Sequence, residues 1–319
     1  MTNRPSRFKI RLLTSAVLLT LCISGASLSL ASQQHLPNIE MPTLGGTQVW
    51  QDTYIYAQWR IQKNIVTGHS RLLNPDNVRK AWGSYNACKN KFDQLRKASS
   101  IRPASRHTVI LLHGIARSTG TFSEMKLALT ANGYDAAVIS YPSTRRTIED
   151  HAGALANVLN RLEGTETVSF VSHSMGGLVL RHLLAANEPW TKTLKIGRVV
   201  MIAPPNQGST VAKALENNLL YKAIYGKSGQ QLVPDAASKI PDLGNIKYSI
   251  IAGGRLDGQG FNPFLNGDND GTVTVAETSL DGASAHLIVP ALHATISNHP
   301  NSIQATLNFL KNGQLDSTE

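Results

Sequence analysis

The stretch Thr165-Glu166-Thr167-Val168-Ser169-Phe170-Val171-Ser172-His173-Ser174-Met175-Gly176-Gly177 decides how the rest of this chain reads. It begins as a β-rich run, Thr165 to Val171, and ends by opening an apolar helical stretch, with Ser174 at the junction. A strand can turn straight into a helix only through a sharp elbow. The residue at its apex takes a strained backbone conformation, and its side chain is lifted clear of the sheet. The residues two before and two after the apex come into close contact and must be small. Ser172 and Gly176 are small, although the usual pattern has glycine at both places. A Ser/Gly-rich loop capping a helix fits five residues equally well, so the remainder of the chain has to choose.

A serine hydroxyl is a poor nucleophile at neutral pH and needs a histidine base, an acid that orients the base, and donors for an oxyanion. Upstream, His107 to Leu112 predicts a strand running into His113-Gly114-Ile115-Ala116, where glycine lets the backbone turn. The amides of Ile115 and Met175 are the expected oxyanion donors. Downstream, Lys247 to Ala252 predicts a buried strand, and the loop after it carries Asn266-Gly267-Asp268-Asn269-Asp270-Gly271-Thr272-Val273. Asp270 is the expected acid, with Asp268 and Asp257 as competitors. His286 to Ala291 predicts the last strand, His293 just past its end is the expected base, and a helix from Ser302 to Leu310 follows. His299 competes with His293. His173, His182 and His286 read as structural: the first points away from the serine, the second lies well inside a helix, and the third begins a strand at the wrong end.

From Thr108 onward strands and helices alternate: Thr108 to His113, Thr121 to Asn132, Asp135 to Tyr141, Thr147 to Leu162, Thr167 to Ser172, Gly176 to Ala186, Gly197 to Ala203. Such alternation predicts right-handed crossovers and a mostly parallel sheet with helices on both faces, whose ligands bind at the carboxyl ends of the strands. His113, Ser174, Asp270 and His293 all fall at such ends. The stretches LLHGI (111–115), SHSMGG (172–177), APPNQGS (203–209) and NDGTV (269–273), with His293, resemble a serine α/β-hydrolase of the bacterial lipase and esterase kind, close to the PGAP1-like, lipase-related group. The order Ser, Asp, His is that of the α/β-hydrolases. The resemblance covers roughly 108–310 and implies acyl-ester hydrolysis through an acyl-enzyme on a small-molecule or lipid ester. Thioesterases and acyltransferases use the same triad, and a non-catalytic binding protein on this fold would lose a triad member. No GxGxxG follows the first strand, and there is no P-loop, HExxH or CxxC, so no cofactor is expected. Asp-Asn-Asp-Gly suggests the start of a calcium loop, but no glutamate stands at the twelfth position from Asp268 or Asp270, so no metal is assigned.

Residues 1–31 carry Arg4, Arg7, Lys9 and Arg11, an apolar run from Leu12 to Leu21, and Ser29-Leu30-Ala31, which together predict a secretory leader cleaved near Ala31. The expected location is periplasmic or secreted. Cys22 offers a lipoprotein alternative, against which Leu21 fills a position that wants a small residue. Cleavage lowers the formal net charge from +10 to +6, because the leader holds four cations and no anions. No basic run points to nucleic acid, while a charge of this sign allows weak attraction to an anionic membrane surface. Cys88 is then the only cysteine, so no internal disulfide forms.

The expected organisation is an extended arm (32–46), an N-terminal extension packed on the core (47–105), a catalytic domain (106–312) with a cap segment (206–245), and a tail (313–319). In the extension, Val49 to Leu73 reads as one or two strands with a turn at Thr67-Gly68. Asn74-Pro75 then starts a helix bearing Val78, Trp82, Tyr85, Cys88, Phe92 and Leu95. Trp50, Trp59 and Trp82 read as packing aromatics. Two segments overhang the carboxyl edge of the sheet, the cap and the loop 253–269. The cap places Val211, Leu215, Leu219, Leu220 and Ile224 at helical spacing, with Tyr221 and Tyr225 nearby. The loop offers Phe261, Phe264 and Leu265 as substrate-pocket residues, in an apolar cleft for uncharged acyl chains.

Overall fold

Two sheets organise the described residues. The first is an antiparallel meander of β1 (Met41–Pro42), β2 (Trp50–Tyr56), β3 (Trp59–Asn64), β4 (Ser70–Leu73) and β5 (Val78–Gly83), in the order β1-β5-β4-β3-β2. The hairpin between β2 and β3 turns on Ala57 and Gln58, both with positive φ (47° and 65°), a conformation these residue types do not advertise in sequence. Helix α1 (Tyr85–Ala98) lies on this sheet, and its Phe92 packs against Tyr54, Tyr56 and Trp59 at ring distances of 5.6 to 5.8 Å. Cys88 is buried beside it.

The helix expected from Asn74-Pro75 starts ten residues later, and Val78–Gly83 is a strand instead. Asn74 turns the chain back on itself: its side chain accepts the Val78 amide (2.8 Å), while Asn77 takes a positive φ of 61°. Ser84, whose hydroxyl accepts the Ala87 amide, is the actual N-cap. Val78 and Trp82 are four apart, a spacing that fits one face of a helix or one face of a strand.

The second sheet is parallel throughout, in the order β11-β10-β9-β8-β6-β7, from β6 (His107–Leu112), β7 (Asp135–Ile139), β8 (Thr167–His173), β9 (Lys195–Ile202), β10 (Tyr248–Gly253) and β11 (Ala285–Val289). Alternate residues of its strands feed two cores. Ile110, Leu112, Phe170 and Val199 pack with α3 (Ile148–Leu159) and α4 (Met175–Ala185), while Val109, Leu111, Val171 and Val200 pack with α2 (Ser123–Ala131) and the terminal helix (Pro300–Asn312). Burial on both faces is why these strands read as continuous apolar runs. This is the α/β-hydrolase architecture. The structure is a computed structural model describing residues 41–42 and 48–315. The expected leader with Cys22, most of the arm, and the last four residues of the tail lie outside them.

The cap is built from α5 (Thr210–Leu215), α6 (Leu219–Gln230) and α7 (Pro234–Ala237), between β9 and β10. Arg181 of α4, buried, donates to the carbonyls of Asn206 (2.9 Å), Pro241 (3.1 Å) and Ile240, and so pins both ends of the cap to the helix that follows Ser174. Inside α6, Gly226 has φ +56°, and a Cβ there would stand 1.9 Å from the Thr144 carbonyl oxygen. Only glycine lets the cap lie that close to the loop after β7. A one-turn helix, α8 (Val275–Thr278), follows the acid loop, and the terminal helix is α9.

Candidate active site

Ser174 ends the run that begins with β8 and caps α4, with φ 54° and ψ −130°. This is the strained apex that a strand-to-helix elbow requires. A Cβ on Gly176 would lie 2.5 Å from the Leu112 carbonyl oxygen, and one on Gly114 would lie 2.9 Å from Ser174 Cβ, so both glycines are spacers for a tightly packed turn. Ser172 is wholly buried behind it.

The three side chains expected from the sequence meet in space. His293 Nε2 stands 3.0 Å from Ser174 Oγ, and His293 Nδ1 stands 2.6 Å from Asp270 Oδ2. Asp270 is buried, and its other oxygen accepts the amides of Thr272 (2.9 Å) and Val273 (2.8 Å). Its backbone also accepts the His293 amide at 2.9 Å. The carboxylate is therefore fixed by two amides and the backbone by a third, and the free carboxylate oxygen sets the imidazole orientation. With Nδ1–H donated to the acid, Nε2 is left to accept the serine proton.

The amides of Ile115 and Met175 donate to no group among the described residues, and both flank Ser174. The Met175 amide is also the first of α4, where the helix dipole favours negative charge. Around these groups lies a cavity of about 360 Å³. Its walls are Ile115, Ala116 and Arg117 on one side, Val211, Ala212, Leu215, Tyr221, Tyr225 and Leu232 from the cap, and Thr272 and Val273 beside His293. A larger hollow, about 950 Å³, lies among Tyr56, Arg96, Arg102, Arg106 and Gly164, at the amino ends of β6 and β8. Ser100 and Ser105 line it with no histidine among its walls, and it opens at the opposite end of the strands from Ser174.

The pocket expectation for the acid loop needs correction. None of Phe261, Phe264 and Leu265 lines the cavity: Phe264 is 92 % exposed, Phe261 is exposed, and Leu265 is buried outside the cavity's walls. The loop is wound around the buried Asn269 side chain, which donates to the carbonyls of Gln259, Asn262 and Gly267 and accepts the amides of Asn262 and Gly271. That polar hub turns the phenylalanines outward. Cap residues take the lining role, while Leu219, Leu220 and Ile224 on the same helix face solvent.

The competing residues have other work. Asp268 accepts the amides of Arg255 (2.7 Å), Leu256 (2.9 Å) and Asn269 (3.0 Å), and Asp257 accepts those of Gln259 and Gly260. His299 caps α9 by accepting the Asn301 amide, His286 pairs with Thr278, and His182 approaches Glu149. Among the described residues no group of three or more His, Cys, Asp or Glu is placed to hold a metal ion. The residues that hold the 113–117 loop, Tyr141 and Ser143, gave no motif. Their only signal was position, just past the end of the strand next to β6.

Among solved structures, the mature form of the Bacillus licheniformis lipase BlEst2 superposes with a TM-score of 0.52 at 22 % identity, over 65 % of this chain and 91 % of that one. The propeptide form of the same protein gives 0.54 at 22 % identity, over 68 % of this chain and 53 %, about half, of that one. A Staphylococcus hyicus lipase gives 0.48 at 13 % identity, over 61 % and 90 %. At such identities the first two likenesses speak to the fold. No curated protein matches the sequence. The model of one family matches residues 77–247, more than half of the chain and inclusive of Ile115, Ser174 and Met175 though not of Asp270 or His293, and by that match the chain belongs to the family described as a domain of unknown function, DUF7379.

Proposed function

We propose that this chain is a serine carboxylester hydrolase of the lipase-related, PGAP1-like kind, acting on uncharged acyl esters of short to medium length. The observation that carries the reading is the continuous chain Ser174 Oγ, His293, Asp270, at 3.0 and 2.6 Å. Ser174 Oγ attacks the ester carbonyl carbon while its proton passes to His293 Nε2. The carbonyl π-bond opens, and the amides of Ile115 and Met175 receive the oxyanion. Collapse breaks the bond to the alcohol oxygen, which takes the proton from His293. Water then repeats the sequence on the acyl-enzyme and frees the acid. The Asp270 carboxylate stabilises the imidazolium in both halves.

The apolar cap wall supports an acyl chain as the bound part, because it removes water from both the chain and the oxyanion. The fold is shared with the Bacillus licheniformis lipase BlEst2, which agrees with the reading by analogy. The proposal includes a location outside the cytoplasm, periplasmic or secreted, and is supported there by the basic start, apolar run and small-residue site at residues 1–31.

The test is a panel of p-nitrophenyl esters of rising acyl length with purified protein and Ser174→Ala. Turnover should fall by about 10⁴ to 10⁶ in the variant. A fluorophosphonate should label Ser174 in the wild type and nothing in the variant. Equal esterase activity in both proteins overturns the assignment.

A further inference from the structure

Ala116 has φ +56°, a left-handed conformation that is strained for any residue but glycine, and it directly follows Ile115. Something has to hold that turn, because it decides where the Ile115 amide points. The Ala116 amide donates to Ser143 Oγ at 3.0 Å, and Ser143 is wholly buried. Ser143 is in turn gripped by Gln48, two residues before β2, whose Nε2 donates to the same oxygen at 3.1 Å. The other bonds of Gln48 go to the same two loops. Its Nε2 donates to the Arg117 carbonyl (3.2 Å), and its Oε1 accepts the Thr144 amide (3.0 Å) and hydroxyl (3.1 Å). Both ends of one side chain are thus spent on the residues after Ile115 and on the loop that holds them.

We infer that Gln48 and Ser143 are positioning residues for the oxyanion donor at Ile115, so that the N-terminal extension takes part in the reaction through the clamp Gln48–Ser143–Ala116. The inference rests on the hydrolase reading above. Two further contacts fit it. The Tyr141 hydroxyl donates to the His113 carbonyl and its ring stacks on His113 at 4.3 Å, holding the start of the loop as Ser143 holds its end. Gly226 of the cap packs on the Thr144 carbonyl and closes the loop from above. An amide aimed at a developing oxyanion matters little to the planar ester and much to the tetrahedral state. Losing the clamp therefore lowers kcat and leaves KM nearly unchanged.

The experiment compares full-length Gln48→Leu and Ser143→Ala with wild type in p-nitrophenyl butyrate hydrolysis, in melting temperature, and in inhibition by phenylboronic acid, whose tetrahedral serine adduct places an oxygen where the oxyanion sits. In each variant kcat should fall by ~10- to 100-fold with KM within about threefold, and boronate affinity should weaken by a similar factor. Should Ser143→Ala fail to fold, Gln48→Leu carries the test. A folded Gln48→Leu protein with unchanged kcat and boronate affinity overturns the inference, as does a loss of kcat with boronate affinity kept. Either result leaves the hydrolase reading standing. That reading falls separately, and this one with it, if wild type neither hydrolyses the ester nor reacts with the fluorophosphonate.

Discussion

The Nε2 of His173 lies 2.9 Å from the main-chain carbonyl of His293, so the residue before Ser174 holds the backbone of the proposed base. A carbonyl only accepts, which puts the proton on Nε2 and leaves the buried Nδ1 bare and without a partner. Burial first, and the neighbouring His293 second, hold the His173 pKa well below its ordinary value. His173 therefore stays neutral beside a base that must become a cation. His173→Phe keeps the ring volume and removes the tie. It should lower kcat by ~10- to 100-fold through misplacement of His293, with the melting temperature shifted by only a few degrees. Unchanged kcat in a folded variant would show that Asp270 alone suffices to place the base.

Acid should destabilise this protein through two buried histidines, opposed by Asp135, whose burial raises its carboxyl pKa to about 6. Burial pushes the pKa of His113 down to about 4, and that of His151 to about 4 as well. In the unfolded chain both return to about 6.5. As pH falls from 6.5 towards 4 the unfolded state takes up protons that the folded state excludes, so stability is full above 6.5 and lost on the way down. The cost reaches about 3 kcal/mol per histidine at most. Urea midpoints at pH 7 and pH 4.5 measure it. His151→Phe, which keeps the edge contact to Tyr141, should flatten the slope; an equal slope in the variant would rule His151 out as a source.

Two aspartates two residues apart should fail in different ways. Asp270→Asn puts an amide against His293 Nδ1, which favours the wrong tautomer and should cost about 10⁴ in kcat while the fold survives. Asp268→Asn replaces a carboxylate oxygen that accepts backbone amides, so it should cost about 1 to 3 kcal/mol of stability and leave kcat close to wild type. Paired measurements of kcat and melting temperature separate the two. The reverse pattern would move the acid to Asp268.

The meeting of Ser174, Asp270 and His293 was legible because chemistry constrains the pattern: a strand-to-helix elbow, a glycine turn after the first core strand, and a carboxylate and an imidazole at later strand ends, in fixed order. The parallel sheet was legible from the alternation of strand and helix patterns after Thr108, because each helix between two strands makes a crossover that leaves them parallel. Val78 to Gly83 was not, because its spacing satisfies two periods and the choice is made by an Asn74 hydrogen bond. Ala57-Gln58 hid a hairpin because neither residue favours positive φ. The pocket wall was misread for a third reason. Phe261 and Phe264 are near Asp270 in sequence, but the direction of a loop side chain is set by hydrogen bonds to Asn269 that no local pattern encodes.

Chain-length preference should therefore answer to the cap and not to the acid loop. Ala212 is buried in the wall of the cavity, on the helix that also presents Val211 and Leu215. Ala212→Phe fills part of the 360 Å³ and should shorten the longest acyl chain accepted. Each methylene that no longer fits costs about 1 to 3 kcal/mol of transition-state binding, so octanoate esters should lose far more kcat/KM than acetate esters. Phe264→Asp changes a side chain that is 92 % exposed and outside the cavity, and the ratio of octanoate to acetate kcat/KM should stay at the wild-type value. If Phe264→Asp shifts that ratio and Ala212→Phe does not, the acyl chain lies over the acid loop and the cap wall holds only the fold.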